Sequence, residues 1–275
     1  MRRAQPWLGT LVDITIGDAL DDIALMSCFN AAFARIAKVH RLMSFHDLNS
    51  DVSRINRASV GDTINIDPLT DEVIRTALAV AEASGGIFDI NCAAKLIEWG
   101  YLPRLEEVLL ECPSGRRCAV ILESDYKAIK TEPACIDLGG IAKGYAVDLA
   151  IEELKQLGVQ SACVNAGGDL RVIGDIAYSI TIRHAERPTE AAGRIQIQDE
   201  ALATSAGYFS RKSIDGREVS PLVNGKTGAP VTSTFSASVS ASTCMVADAL
   251  TKIVSATGDV NHPALTQFDA TAFIT

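Results

Sequence analysis

The sequence predicts an α+β fold of mixed sheets with packed helices. Three observations predict it. Leu8 to Ile16 alternates apolar and polar side chains, which marks a strand with one buried face. From about Asp22, the residues Leu25, Phe29, Ala32, Phe33, Ile36, Val39 and Met43 recur at three- and four-residue steps, which marks a long amphipathic helix. The later strand-like and helix-like segments mix without the strict βαβ rhythm of a parallel sheet. We expect one domain over residues 1–275, divisible into two lobes.

In the first strand Val12, Ile14 and Ile16 share one side, and Asp13 and Thr15 the other. His40 lies beside the stripe of the first helix and reads as structural. Polar Ser44 to Arg57 predicts loop and turn. Thr70 is the expected cap of the next helix, with Val73, Ile74, Ala77, Leu78 and Ala81 as its apolar face. Gly85-Gly86 ends it, and Ile87 to Ile90 reads as a short strand. Cys118 to Leu122 is another. Asp137-Leu-Gly-Gly140 leads into a helix running to about Leu157. Ser161 to Val164, Tyr178 to Arg183, Arg194 to Gln198 and Ser236 to Ser240 read as strands, and Met245 to Val254 as the last helix.

Composition excludes several classes. The chain has 275 residues, 48% of them hydrophobic, enough for a sizeable core. Lys plus Arg is 25 against 34 for Asp plus Glu, a net charge of −9. A nucleic-acid footprint needs a basic face, so no nucleic-acid partner is expected. No apolar run approaches the ~20 residues of a membrane-spanning helix. Arg2 and Arg3 could open a signal peptide, but Asp13, Asp18, Asp21 and Asp22 fall where its uncharged apolar stretch would have to lie. Leu25-Met26-Ser27-Cys28 has the look of a lipoprotein cleavage box, yet those acidic residues make Cys28 a helix residue. The expectation is a cytoplasmic protein, or a periplasmic or membrane-anchored one if a leader was removed. The seven cysteines (28, 92, 112, 118, 135, 163 and 244) form no CxxC and read as buried thiols.

Three segments carry potential chemistry. Asp137-Leu-Gly-Gly-Ile-Ala-Lys143 places paired glycines before a helix, where a ligand can approach backbone N–H groups, with Lys143 one turn in. The spacing is neither GxGxxG nor GxxxxGK[ST], and a plain turn is the alternative. Asn165-Ala-Gly-Gly-Asp169 reads as a tight turn after a strand, with Asp169 entering the next. In Ala247-Asp-Ala-Leu-Thr-Lys252, Asp248 and Thr251 share a helix face. Such a pair could offer hard oxygen ligands to Mg²⁺, or be a helix-start carboxylate with a solvent-facing Thr.

Taken in order, these segments resemble the ApbE family of FAD:protein FMN transferases. Leu8-Gly9-Thr10 is similar to the family's opening Met-Gly-Thr. Met43-Ser-Phe-His46 with Ser50-Asp-Val-Ser-Arg-Ile-Asn56 resembles its Met-Ser-x-Tyr and Ser-x-x-Ser-x-x-Asn loop. Gly85-Gly-Ile-Phe-Asp-Ile90 and Asp137-Leu-Gly-Gly-Ile-Ala-Lys-Gly-Tyr-Ala-Val-Asp148 resemble its most diagnostic stretches. Asn165-Ala-Gly-Gly-Asp169, Thr204-Ser205, Lys226-Thr-Gly-Ala-Pro230 and Ala247-Asp-Ala-Leu250 complete the series.

The resemblance implies an ApbE-like fold with a flavin cleft between two lobes. It implies Mg²⁺-dependent transfer of FMN from FAD to a Thr or Ser hydroxyl, with release of AMP. The acceptor would be a protein of an electron-transfer complex. FAD hydrolysis to FMN and AMP, and flavin binding without catalysis, are the alternatives. By position, the resemblance assigns Asp248 and Lys143 to catalysis. It assigns Phe88, Asp89, Asp137 and Lys143 to FAD contact, and Leu8, His46 and Val223 to the flavin cleft. Asp248 and the backbone carbonyl of Gly140 would be metal ligands.

Four departures accompany it. His46 stands where the family has a tyrosine. Pro221 and Asn224 stand in place of its histidine and aspartate, so a base at that histidine is missing here. Lys252 stands where the family has a metal-site threonine, and no working leader is seen. An ammonium has no lone pair to give a metal. The expectation is therefore that Thr251 takes over as ligand, or that Lys252 turns away or contacts phosphate. Thr227, in Asn224-Gly-Lys-Thr-Gly228, has the look of the acceptor motif the family modifies, but is read as part of the fold.

Overall fold

The structure is a computed structural model and describes residues 1–104, 119–175, 177–183 and 191–275. It is α+β. Seven strands form the main sheet: β1 (Arg2–Trp7), β2 (Thr10–Ile16), β3 (Ala162–Ala166), β4 (Asp169–Ile173), β5 (Ala201–Ser205), β6 (Ala237–Ala241) and β7 (Thr271–Ile274). Their order in space is their order in the chain, and every neighbouring pair is antiparallel. The helices are α1 (Asp22–Met43), α2 (Asp51–Arg57), α3 (Pro68–Ala83), α4 (Ala93–Glu98), α5 (Ala142–Gln156), α6 (Cys244–Thr257) and α7 (Pro263–Gln267).

Side-chain alternation divides the sheet between two packing partners. Ile14, Val164, Ala203 and Val239 face one way and join Phe29, Ile36, Ile151, Leu250 and Ile253 of the helices in the main core. Cys163, Leu170, Val172 and Leu202 face the other way. They pack with Ile182 and Ile197 of the antiparallel hairpin Tyr178–Arg183 and Ala191–Ile197. The stripe read from the sequence of α1 is buried in full, Leu25 to Met43. No helix among the described residues is long and apolar enough to cross a membrane.

Several expectations change. The first strand starts at Thr10, because Leu8 and Gly9 both have positive φ (55° and 73°) and form the two-residue turn from β1. β1 itself, which opens on Arg2 and Arg3, showed no clear alternation. Ser44 to Arg57 is not all loop. Ser50 caps α2, its Oγ accepting the N–H of Ser53 at 3.0 Å. Polar Ser53 and Asn56 are buried in α2 beside Val52 and Ile55, so its inner face does not look apolar.

The cap of α3 is Asp67, which accepts the N–H of Leu69 at 2.9 Å ahead of Pro68. Thr70 lies inside the first turn and donates to Asp51 Oδ2 at 2.7 Å. Ile87 to Ile90 is irregular backbone. It makes single bonds to two different segments, Gly225 N–H to the Ile87 carbonyl (2.9 Å) and Asp137 N–H to the Ile90 carbonyl (2.8 Å). Cys118 and Cys112 lie outside the described residues. The strand expected near Cys118 runs Val120–Glu123 and pairs with Lys127–Lys130, which pairs in turn with Thr63–Asn65. His40, read as structural, meets Trp7 edge-on, with ring centroids 5.8 Å apart, and also lines the cleft described below.

Candidate functional site

A cleft of about 1050 Å³ opens where the turns of the main sheet meet the N-terminal end of α5. Leu8, His46, Phe88, Asp89, Asp137, Lys143 and Val223 all line it, as does Gly140. These side chains come from well-separated stretches of chain, and backbone bonds hold several of those stretches together. The bonds from Asp137 to Ile90 and from Gly225 to Ile87 seat the Asp137 turn and the Val223–Gly228 turn on either side of Phe88. Asn224 shapes the second of these. Its Oδ1 accepts the N–H groups of Lys226 (3.1 Å) and Thr227 (3.2 Å), an Asx turn that an amide makes as well as a carboxylate. Pro221 lines the same wall.

The Asp137 stretch is pinned from behind by Asn56. Its amide donates to the carbonyl of Ile136 at 2.9 Å and accepts the N–H of Ile136 at 2.8 Å. Buried Lys130 donates to the carbonyl of Asn56 at 2.7 Å. The polar Ser-x-x-Ser-x-x-Asn pattern is thus the back support of the cleft floor. Burial raises the carboxyls of Asp137 and Asp89 above the usual range. The Gly139 N–H and the charges of His46 and Lys143 oppose the rise at Asp137, and Asn91 opposes it at Asp89.

On the opposite side, the turn between β3 and β4 sits against the turn between β1 and β2. A Cβ on Gly167 would fall 2.5 Å from Thr10 Oγ1, so only glycine lets the two turns meet. The β3–β4 turn leads to Asp169, whose carboxylate is paired with the Lys143 ammonium. Lys143 also donates to Asp248, at 3.3 Å to Oδ2 and 3.5 Å to Oδ1. Asp248 has no exposed side-chain surface. Its Oδ2 accepts the N–H of Gly144 at 3.2 Å, at the start of α5.

Lys252 completes the group. Its ammonium is paired with Asp248 Oδ1 and shares its other two N–H groups among the Asp248 carbonyl, Thr251 Oγ1 and Ser205 Oγ, each at 3.0 Å. The expectation that Lys252 turns away is overturned. It turns inward, its stem lying against Gly140, where a Cβ would be 3.5 Å from Lys252 Cε. Burial would push the Asp248 carboxyl up, but the ammoniums of Lys143 and Lys252 hold it below its usual value. Burial would lower Lys143, and Asp169 and Asp248 instead push it up. Both groups are therefore charged.

These residues do not fit a divalent ion as the resemblance implied. A hydroxyl has one donor and two lone pairs. Thr251 Oγ1 donates to the Asp248 carbonyl at 2.7 Å. It therefore accepts from Ser205 Oγ at 2.7 Å, and accepts again from Lys252. Nothing is left on it for a metal. Both oxygens of Asp248 are taken by Lys143, Lys252 and the Gly144 N–H. Two ammoniums balance two carboxylates, so the cluster carries no surplus negative charge to hold a dication. Asp248 and Thr251, expected as metal ligands, are thus committed to protein partners in this structure.

Sequence reasoning missed Asp169 and Ser205 as partners of the lysines and Asn56 as a support. Each stood inside a recognised motif, but nothing local says which distant group a buried polar side chain meets.

The chain is similar to proteins of known kind. It is 26% identical over 229 residues to a FAD:protein FMN transferase of Vibrio cholerae, covering 78% of this chain and 69% of that protein. It is 25% identical over 236 residues to one of Rhodobacter capsulatus, of which it spans 44%. An ApbE protein from Thermotoga maritima superposes with a TM-score of 0.85 at 24% identity, over all of this chain and 93% of the other. The apo flavinyl transferase ApbE of Pseudomonas stutzeri superposes with 0.80 at 22% identity, over all of this chain and 90% of the other. The model of the ApbE family matches residues 8–274, and the chain belongs to that family.

Proposed function

We propose that this chain is a flavin transferase. It binds FAD in the cleft and moves the FMN moiety onto a Ser or Thr hydroxyl of an acceptor protein, releasing AMP. The observation that carries this reading is the convergence of Leu8, His46, Phe88, Asp89, Asp137, Lys143 and Val223 on one cleft of about 1050 Å³. That volume lies at the top of the range of about 300–1,000 Å³ for small-molecule sites, which leaves room for a dinucleotide. The names of the similar proteins from Vibrio cholerae and Rhodobacter capsulatus support it.

The side chains suit the ligand's parts. Leu8, His46, Phe88 and Val223 offer apolar and aromatic surface to a flat ring system. Asp89 and Asp137 offer acceptors to ring N–H or ribose hydroxyl groups. Lys143 and Lys252, both lining the cleft, place positive charge on the wall where a diphosphate would lie. In the transfer, the acceptor hydroxyl oxygen bonds to the FMN phosphorus, and the bond from that phosphorus to the bridging oxygen breaks. The bridging oxygen leaves with AMP and the hydroxyl proton passes to solvent. Positioning and charge do most of the work in such a displacement. The acceptor expected from the resemblance is a protein of an electron-transfer complex with a Ser or Thr motif.

The test is incubation with FAD and a Ser/Thr acceptor peptide, followed by mass spectrometry and nucleotide analysis. The expected result is peptide heavier by one FMN, with AMP in equal amount. FMN and AMP released without peptide labelling would make the chain a hydrolase. FAD bound and returned intact would make it a binding protein.

A further inference from the structure

We propose that the ammonium of Lys252 is a tethered cation, standing where the family resemblance reserves a place for a divalent ion, so that the chain works on its substrate with no divalent metal held by Asp248. For its substrate this inference rests on the flavin reading. For its cation it rests on the geometry alone.

Four observations carry it. Lys252 is the i+4 neighbour of Asp248 on α6, so its ammonium returns to the carboxylate of its own helix. Its two remaining N–H groups are shared among three oxygens, the Asp248 carbonyl, Thr251 Oγ1 and Ser205 Oγ, each at 3.0 Å. A hard cation would seek this set of donors, namely a carboxylate, a carbonyl and hydroxyls. The lysine stem fills the space beside Gly140, the expected carbonyl ligand. Finally, Lys252 is only 13% exposed yet lines the cleft, so the charge is both fixed and presented to whatever lies there.

The exchange has a chemical consequence. A bound divalent ion brings two positive charges and can be removed by a chelator. The lysine brings one charge and cannot be removed. With Lys143, Asp169 and Asp248 it forms a neutral four-group cluster, so an added divalent ion would have to displace an ion pair to reach Asp248.

The experiment titrates Mn²⁺ into the metal-free protein, alone and with one equivalent of FAD, and follows free Mn²⁺ by EPR. Wild type is compared with Lys252→Thr, and with Lys252→Ser should the first variant fail to fold. The expected result is no Asp248-dependent site tighter than ~1 mM in wild type. Lys252→Thr should bind Mn²⁺ at least about tenfold tighter, and Asp248→Asn in that background should abolish the gain. In parallel, FAD turnover by wild type after EDTA treatment should stay within about twofold of untreated protein. One Mn²⁺ per wild-type chain that Asp248→Asn removes would overturn the proposal. So would turnover lost in EDTA and restored by Mg²⁺, or a Lys252→Thr protein that gains no Mn²⁺ affinity. If no form of the protein turns FAD over, the flavin reading fails, while the Mn²⁺ comparison still decides the role of Lys252.

Discussion

Asp148 and Asp248 each close the start of the helix that carries the other. Asp148, on α5, accepts the N–H groups of Cys244 (2.9 Å) and Met245 (2.8 Å) at the start of α6. Asp248, on α6, accepts the N–H of Gly144 (3.2 Å) at the start of α5. Helix starts leave N–H groups unpaired and carry partial positive charge, so each carboxylate stabilises the other's helix. Arg171 reaches Asp148 from β4 at 3.1 Å. The arrangement brings two helix ends to the cleft wall and sets Asp248 between Lys143 and Lys252.

The exchange requires glycine at 144. A Cβ there would lie 2.2 Å from the carbonyl oxygen of Cys244, and backbone cannot yield as a side chain can. Gly144→Ala should cost about 3 kcal/mol, at the upper end for overpacking. That corresponds to roughly 6–12 °C in unfolding temperature for a chain of this size. Differential scanning calorimetry reads it, and an unchanged midpoint would mean that the helices separate freely.

Asp248 holds the fold as well as the site. Asp248→Ala leaves two lysines and a helix N–H without their shared acceptor. Breaking a buried pair from one side costs about 3–5 kcal/mol. We expect urea unfolding to show a loss of that order. Asp248→Asn, which keeps an acceptor for Gly144, should lose less. Equal stability of the alanine variant and wild type would remove Asp248 from the structural account.

Asn56 acts through Ile136. Asn56→Ala strands a buried N–H and a buried carbonyl of Ile136, each worth about 1–3 kcal/mol when left unsatisfied. The loss frees the segment bearing Asp137. Stability should fall by about 2–6 kcal/mol, and FAD affinity, measured by flavin fluorescence, should fall with it. Destabilisation with unchanged FAD affinity would show that the floor of the cleft does not depend on this support.

Cys163 makes stability fall at alkaline pH. Burial on the hairpin side of the sheet pushes its thiol up to about 12, from an ordinary value near 9.0, with Asp13 adding to the rise. Above the ordinary value the unfolded chain loses this proton while the folded chain keeps it. The contribution is therefore complete below about pH 9 and is lost as pH rises towards 12, by about 1.4 kcal/mol per pH unit. Denaturation of wild type and Cys163→Ala between about pH 8 and 10.5 should show wild type losing stability faster. Parallel curves would place the thiolate in a wetter site.

Two kinds of information separate in this chain. Sequence alone determined whatever depends on period and local chemistry. The alternation of Val12, Ile14 and Ile16 assigned a buried face, the steps from Leu25 to Met43 assigned a helix, and Tyr178–Arg183 was bounded correctly. Motif order also gathered the seven cleft residues, because the family's spacing already encodes which turns meet. Local pattern failed where a cap or a buried polar face competed with it. Asp67 took the helix start from Thr70, and Ser53 with Asn56 disguised α2 as loop. Only the tertiary structure decided the chemistry at Asp248. The partners of Lys143 lie 26 and 105 residues away, and Ser205 lies 47 residues before Lys252. A lysine in a helix pattern reads as solvated, since leaving water costs its charge dearly. It turns inward here because its own helix turn offers a carboxylate, a carbonyl and the Thr251 hydroxyl, and the fold buries that turn and adds the distant Ser205 hydroxyl.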